Sequence, residues 1–161
     1  MFKKIFILLL FIIGGVLVYF YYTKNGLPFI SKEPKPTSSM VSQIKINNQL
    51  FEIDIADTND KRAQGLSGKS RLCENCGMLF IFDTKDDYGF WMKDMLFPLD
   101  FVWIDVNIIV DITENVPVPI TATYLPQYRP KQPVNRVLEL NTGIIKKYQI
   151  KIGDSVEYLF L

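Results

Sequence analysis

The chain has 161 residues, which is enough for one compact domain and a short additional segment, so we expect a single core. Its net charge is +1, and without Lys3, Lys4 and Lys24 the remaining 15 basic residues face 17 acidic ones. That balance predicts no affinity for nucleic acid. The chain has no histidine, the commonest general base near neutral pH and the commonest nitrogen ligand of transition metals. We therefore predict neither a cofactor nor a metal site.

An uncharged, apolar run of 18 residues extends from Ile5 to Tyr22. As a helix it would reach roughly 27 Å at about 1.5 Å per residue, close to the thickness of a bilayer's hydrocarbon core. Lys3 and Lys4 precede the run and only Lys24 follows it closely, so the positive-inside rule places the N-terminus in the cytoplasm. We predict that residues 1–24 are a single transmembrane anchor in the cytoplasmic membrane, with the remainder of the chain outside.

A cleaved signal peptide is the main alternative, because it has a similar charged start and apolar middle. Cleavage favours small residues in an A-x-A-like arrangement, and the first alanine of the chain is Ala56. Residues 25–41 are rich in proline, serine and lysine, which favours an extended, solvated linker. The folded domain, residues 42–161, should therefore begin near Ser42.

The domain is predicted to open with a β-hairpin, because apolar and polar residues alternate on both sides of Asn47-Asn48. Thr58 can then cap a short helix over Asn59–Gln64, and Gly65 can end it in the left-handed conformation.

Four short segments, rich in aromatic and β-branched residues and bounded by turn residues, predict the central strands. They are Gly77–Phe82, Tyr88–Met92, Leu99–Asp105 and Ile108–Asn115. Five prolines from Pro117 to Pro133 then predict a long surface loop.

The C-terminal part predicts a strand over Arg136–Leu140, a short helix capped by Asn141 or Thr142 and running through Tyr148, and a last strand over Ser155–Leu161. The expected fold class is α+β and mostly β. We predict a small, twisted antiparallel sheet that closes toward a barrel and carries two short helices.

The two cysteines, Cys73 and Cys76, directly precede an apolar strand. Outside the cytoplasm oxidation is the default, so a local structural disulfide is one interpretation. A redox-active thiol pair has the same spacing, but thioredoxin-type proteins place it at a helix start. A zinc site would need two further ligands. Of the three, we favour the structural disulfide.

Four charged residues stand in or beside apolar segments: Arg62, Lys93, Asp100 and Glu139. Strand alternation places Asp100 on the face of its apolar neighbours rather than on the solvent side. A carboxylate there needs a partner, so these residues can form partly buried structural ion pairs.

The same residues can instead form a small polar pocket. In that hypothesis Trp91 and Met92 line an apolar wall, Arg62 or Lys93 holds a polar or anionic ligand, and Asp100 orients the cation. Glu139 completes the candidate set. A third hypothesis makes Asp100 a general base, but no second catalytic group is evident, and we assign no catalytic residue.

The aromatic residues Phe80, Phe82 and Trp103 are assigned to the core rather than to a ligand site.

Six short motifs follow one another between about Ile44 and Phe160. They are RAQGL at Arg62–Leu66, GMLF at Gly77–Phe80, FWMK at Phe90–Lys93, PLD at Pro98–Asp100, VLEL at Val137–Leu140 and GD at Gly153-Asp154. In this order they resemble the prokaryotic family called domain of unknown function 192. The resemblance implies a compact, mostly β domain with minor helices, often exported behind a signal or anchor, and without an established activity.

Some positions depart from that family's pattern. Ser67 stands where the family often has methionine, and Asp94 where it commonly has asparagine, which alters the charge beside Lys93. Thiols are not general at the positions of Cys73 and Cys76, so the resemblance makes the pair a lineage-specific staple.

These observations predict a membrane-anchored, extracytoplasmic module that is not an enzyme and that binds a small polar ligand, an envelope component or a protein partner. The alternative is a thiol-disulfide redox or hydrolytic enzyme that uses Cys73 and Cys76 or Asp100. A purely structural interaction is the third hypothesis.

Overall fold

A computed structural model describes residues 42–121 and 125–159. The predicted anchor, residues 1–24, and the predicted linker, residues 25–41, lie outside the described residues. Within the described ranges, the helices are all too short to cross a bilayer.

Seven strands form one sheet that curls into a half-barrel, and two short helices accompany it. In chain order the elements are β1 (Ser42–Ile46), β2 (Gln49–Ala56), α1 (Asn59–Gln64), β3 (Cys76–Asp86), β4 (Leu99–Asp105), β5 (Ile108–Val116), β6 (Val134–Asn141), α2 (Ile144–Lys147) and β7 (Val156–Leu159). The order of the strands across the sheet is β5-β4-β6-β3-β2-β1-β7. The pairing of β2 with β3 is parallel, whereas the other ladders are antiparallel. The mostly β fold class is confirmed, although the sheet is mixed and not wholly antiparallel.

The hairpin and the first helix form where the sequence predicts them. Asn47 has φ +55°, which lets the chain turn between β1 and β2. Thr58 caps α1, its side chain accepting a hydrogen bond from the Lys61 amide at 3.3 Å. Gly65 ends the helix with φ +50° and ψ −136°, outside the left-handed helical region that we expected but still with the positive φ that glycine tolerates.

The sheet is packed on both faces. Along β4 the residues alternate between two apolar clusters, with Val102 and Ile104 in one and Phe101 and Trp103 in the other. Because both faces are covered, β4 consists of almost uninterrupted apolar residues. The first cluster lies under α2, and the second lies under α1 and the segment of residues 88–95.

The two edges of the sheet approach each other at one corner. Ile108, at the start of β5, forms an isolated bridge with Ser155, which precedes β7. The Ile109 amide donates to the Asp154 carbonyl at 2.9 Å, and the Val156 amide donates to the Asn107 carbonyl at 2.8 Å. These bonds curl the sheet toward the barrel that the sequence predicts.

The predicted strand over Tyr88–Met92 is wrong. Only Phe90 pairs, in an isolated bridge with Tyr128, and residues 91–95 continue as an irregular segment. The aromatic density that suggested a strand has another cause, because Tyr88 and Phe90 pack against aromatic side chains of β3 and β4. Tyr128 belongs to the proline-rich connection between β5 and β6, which is a loop as predicted.

The predicted cap of the second helix is also wrong. Neither Asn141 nor Thr142 caps α2, because their side chains bind elsewhere: Asn141 donates to the Cys73 carbonyl at 2.7 Å, and Thr142 donates to the Asn115 side chain at 2.9 Å. The helix instead begins after Gly143, whose φ of +83° turns the chain out of β6.

Candidate functional site: an aromatic pocket

A cavity of about 240 Å³ opens between α1 and the segment of residues 88–95, above β3 and β6. We call it the aromatic pocket. Its lining includes Arg62, Ala63, Gln64, Ser67, Phe80, Phe82, Tyr88, Phe90, Trp91 and Glu139. Its size suits a ligand smaller than an ordinary drug-sized molecule.

Strand alternation determines which side chains form the base of the pocket. Phe80 and Phe82 are two residues apart on β3 and therefore share a face. Glu139 belongs to the neighbouring strand β6 and pairs with Met78 of β3. Met78 is two residues before Phe80 and shares its face, so Glu139 points to that face as well. The register of two strands thus brings a carboxyl group beside an aromatic wall.

The aromatic wall is tightly packed. Phe82 and Tyr88 are stacked with ring centroids 3.6 Å apart, and Phe80 meets Phe90 edge to face at 4.9 Å. Phe90 also packs edge to face on Trp103 at 5.6 Å, which anchors it in the core. Such contacts hold the rings in fixed positions. Sequence reasoning assigned Phe80 and Phe82 to the core, whereas both also line the pocket.

Glu139 is the buried acid of the pocket. It is 5% exposed, and among the described residues its carboxyl group has no hydrogen bond or ion pair. Burial disfavours the charged carboxylate and raises the pKa of Glu139 to about 8. At neutral pH the empty pocket therefore holds a largely protonated acid.

Arg62 lies at the rim of the pocket and is held there by backbone. Its Nη1 donates to the carbonyl oxygens of Asp57 at 2.8 Å and of Ile81 at 2.7 Å, and its Nη2 donates to the Asn59 side chain at 2.6 Å. The guanidinium carbon lies 5.2 Å from the centroid of the Phe82 ring. Arg62 thus fastens α1 to β3, and most of its donors are already used.

Asp100 is fully buried but lies on the other face of the sheet. Its two carboxylate oxygens accept from the amides of Asn115 at 2.9 Å and of Ile145 at 3.1 Å. The expected role of orienting Arg62 or Lys93 is therefore wrong, because Asp100 ties the end of β5 to α2. Strand alternation correctly gave its face, beside Val102 and Ile104.

The candidate residues of the FWMK motif lie in three different surroundings. Trp91 is half exposed and lines the pocket, whereas Met92 is buried in the second apolar cluster. Lys93 is exposed and does not line the pocket, although its backbone carbonyl accepts from the Ser67 hydroxyl at 2.9 Å. Asp94 has φ +55°, a conformation that Asp and Asn tolerate better than other non-glycine residues, so this position selects for backbone geometry.

Cys73 and Cys76 form a disulfide at the start of β3, as predicted. The turn that it closes is bound on several sides: the Glu52 amide donates to the Asn75 carbonyl at 2.9 Å, and the Tyr148 hydroxyl donates to the Asn75 side chain at 2.8 Å. A second cavity of about 260 Å³ borders the disulfide, but its Lys69 is already paired with Asp54 at 2.6 Å. The turn that the disulfide closes is therefore hydrogen-bonded to β2 and to Tyr148, the residue that follows α2.

Residues 42–121 and 125–159 contain no group of three or more histidine, cysteine, aspartate or glutamate side chains that could hold a metal ion.

The fold and the pocket define a small, mostly β domain with a cavity lined by aromatic side chains and one buried acid. A family model described as DUF192, an uncharacterized conserved family, matches residues 41–158, and the chain belongs to that family. No functionally curated protein shows significant similarity to it.

Two solved structures are similar to this chain over most of its length. One, from Sinorhizobium meliloti 1021, is provisionally described as a transcription regulator. It is 28% identical with a TM-score of 0.65, covering 73% of this chain and 92% of that one. The other, from Novosphingobium aromaticivorans DSM 12444, is a protein of unknown function. It is 27% identical with a TM-score of 0.66, covering 76% of this chain and 89% of that one.

Proposed function

We propose that this chain is a non-enzymatic module that binds a small molecule in the aromatic pocket and is held on the outer face of the cytoplasmic membrane. The observation that carries the proposal is Glu139, a buried carboxyl group without a partner that faces a preformed cavity. A carboxyl group that is shielded from bulk water but open to a cavity is available to a ligand that donates a hydrogen bond or carries a positive charge.

The location rests on the N-terminal sequence. The apolar run over residues 5–22 and its flanking lysines favour a membrane anchor with the domain outside. The disulfide between Cys73 and Cys76 supports this location, because disulfides persist in oxidising compartments.

The enzymatic alternatives find less support in the geometry. The Asp100 carboxylate is occupied by two backbone amides on the face away from the pocket. The cysteine pair closes a turn that is hydrogen-bonded to β2, to β6 and to Tyr148, as expected of a structural disulfide, while Cys73 itself is exposed. A gene-regulatory role, as described for the Sinorhizobium protein, would need a positively charged surface, and residues 25–161 carry a net charge of −2 (15 basic less 17 acidic).

The proposal is tested by screening a fragment library against the full-length chain in nanodiscs by ligand-observed saturation-transfer NMR. Ala63→Trp places a bulky ring at the pocket mouth, and Asp60→Trp on the same helix places one away from the pocket. We expect bound fragments to lose their signal with Ala63→Trp and to keep it with Asp60→Trp, with empty nanodiscs as the background. If every fragment signal survives Ala63→Trp, the pocket is not a binding site.

A further inference from the structure

The polar side chains around the aromatic pocket differ in whether their hydrogen-bonding groups are already used within the protein. Gln64 donates to the Ser67 carbonyl at 3.2 Å, Ser67 donates to the Lys93 carbonyl at 2.9 Å, and Tyr88 donates to the Thr84 carbonyl at 2.9 Å. Arg62 is fastened by three hydrogen bonds. Glu139 has none among the described residues. The pocket therefore presents one acid as its unused polar group.

The walls around that acid are suited to positive charge. An aromatic ring attracts a cation over its face. The Phe82 ring is already occupied by the stacked Tyr88 and by the Arg62 guanidinium, so the aromatic surface that remains for a ligand belongs to other residues. Phe80, Phe90 and Trp91 supply further aromatic surface around the cavity.

We infer that the aromatic pocket binds a small organic cation, an amine or ammonium compound with an apolar body, whose charged group lies against Glu139. This inference deepens the proposed function and rests on it. The aromatic side chains receive the apolar body, and the carboxylate neutralises the charge away from water. An ion pair in such a place is strengthened by the low local dielectric.

Other ligand classes match the lining less well. An anion would need hydrogen-bond donors, and most of those of Arg62 are already used within the protein. A saccharide needs several free donors and acceptors, whereas the neighbouring polar groups are bound to backbone. A ligand with one cationic group needs one acid.

Binding of the cation is coupled to the release of one proton from Glu139. The empty pocket holds protonated Glu139 at neutral pH, because burial raises its pKa to about 8. The ammonium group needs the carboxylate, so the proton of Glu139 passes to solvent as the cation enters. The charged and titratable side chains that line the pocket with Glu139 are Arg62, held at the rim, and Tyr88. Below pH 8 the affinity should therefore rise about tenfold per pH unit.

Isothermal titration of the full-length chain in nanodiscs tests this with benzylammonium, benzyltrimethylammonium and the neutral benzyl alcohol. We expect both cations to bind more tightly than the alcohol at pH 8. Their affinities should fall about fiftyfold from pH 8 to pH 6, because the ionised fraction of Glu139 falls from about one half to about one hundredth, with about one proton released at the lower pH. Glu139→Gln should weaken cation binding at least tenfold and remove its pH dependence, while Glu114→Gln, an exposed control, should change neither.

The outcomes separate this inference from the proposed function. If benzyl alcohol binds as tightly as the cations and Glu139→Gln has no effect, the cation preference is overturned, while binding in the pocket stands. If the cations do not bind but other fragments do, and Ala63→Trp blocks those fragments, the cation preference is again overturned and binding in the pocket stands. If Ala63→Trp blocks the binding of none of the three probes and of no fragment, both the cation inference and the proposed function are overturned.

Discussion

Glu139 and Asp100 are two buried acids on neighbouring strands, and their surroundings differ. Asp100 accepts hydrogen bonds from two backbone amides, so its burial is compensated within the protein. Glu139 faces the cavity with no such donor, and burial alone raises its pKa to about 8. The first acid stabilises the fold, whereas the second is tolerated by becoming neutral.

This difference predicts a pH-dependent stability. Because the pKa of Glu139 is raised from 4.5 to about 8 on folding, the protonated form stabilises the folded state below pH 4.5, and that contribution is lost as pH rises through 8. For residues 42–161, we expect Glu139→Gln to raise the free energy of unfolding at pH 9 by a few kcal/mol and to leave it nearly unchanged at pH 4.

Urea denaturation of the wild type, Glu139→Gln and Glu114→Gln at pH 4, 7 and 9 measures this effect. Glu114→Gln should follow the wild type. Parallel profiles for the wild type and Glu139→Gln would show that the fold does not disfavour the charged form.

Part of the candidate site could be predicted because the alternation of side chains along a strand is a local property. Arg62, Trp91 and Glu139 were selected from the sequence and all three line the pocket, while their role in ligand binding stays a prediction. Asp100 was assigned to the right face of its strand, but one sequence does not say which face of the sheet carries the cavity. The roles of Phe82 and Tyr88 were missed, since a stacked aromatic pair has the same composition in a core and in a pocket wall.

At the scale of elements, the turn over Cys73–Cys76 controls the entry into β3. Gly77 follows it directly, and a Cβ atom there would lie 2.7 Å from the Glu139 carbonyl oxygen. Such a close approach requires glycine. The disulfide and Gly77 together set how closely β3 packs on β6, beside the acid of the pocket.

Removing the disulfide should weaken the fold without abolishing binding. A loop this short contributes on the order of 2 kcal/mol in the chain-entropy model. We expect the double variant Cys73→Ser/Cys76→Ser to lose about that amount in urea denaturation, and to bind the pocket ligands as the wild type does in saturation-transfer NMR. A variant of unchanged stability would contradict the structural role.

Elements were predicted best where composition and turn chemistry agree. The bounds of α1 and β4 are those expected, since Thr58 and Gly65 mark the helix and an apolar run forms the strand. The expected strand over Tyr88–Met92 failed because aromatic content reports burial and does not by itself report backbone pairing. The cap of α2 failed because Asn141 and Thr142 serve distant partners that a local pattern does not reveal.

For the whole molecule, the prediction of a single-pass membrane protein is separate from the pocket. It concerns residues 1–24, which lie outside the described residues. The long apolar run and the two lysines before it predict membrane insertion with the N-terminus inside.

Expression of the full-length chain in bacterial cells tests that topology. We expect the protein to remain in the membrane fraction after carbonate extraction, and to be digested when protease is added to intact spheroplasts. A variant without residues 5–22 should be soluble and protected. Full-length chain with an intact N-terminus in the soluble fraction would contradict the anchor.

The parallel pairing of β2 with β3 has a consequence for how such a domain can diversify. The excursion between those strands supplies one wall of the pocket, β3 supplies its floor, and the residues just after β3 supply the other wall. Apart from Glu139, the lining thus falls within the single stretch of residues 62–95. Replacing that one segment would change which molecules the pocket can bind, while Glu139 and the strands outside the segment stay unchanged.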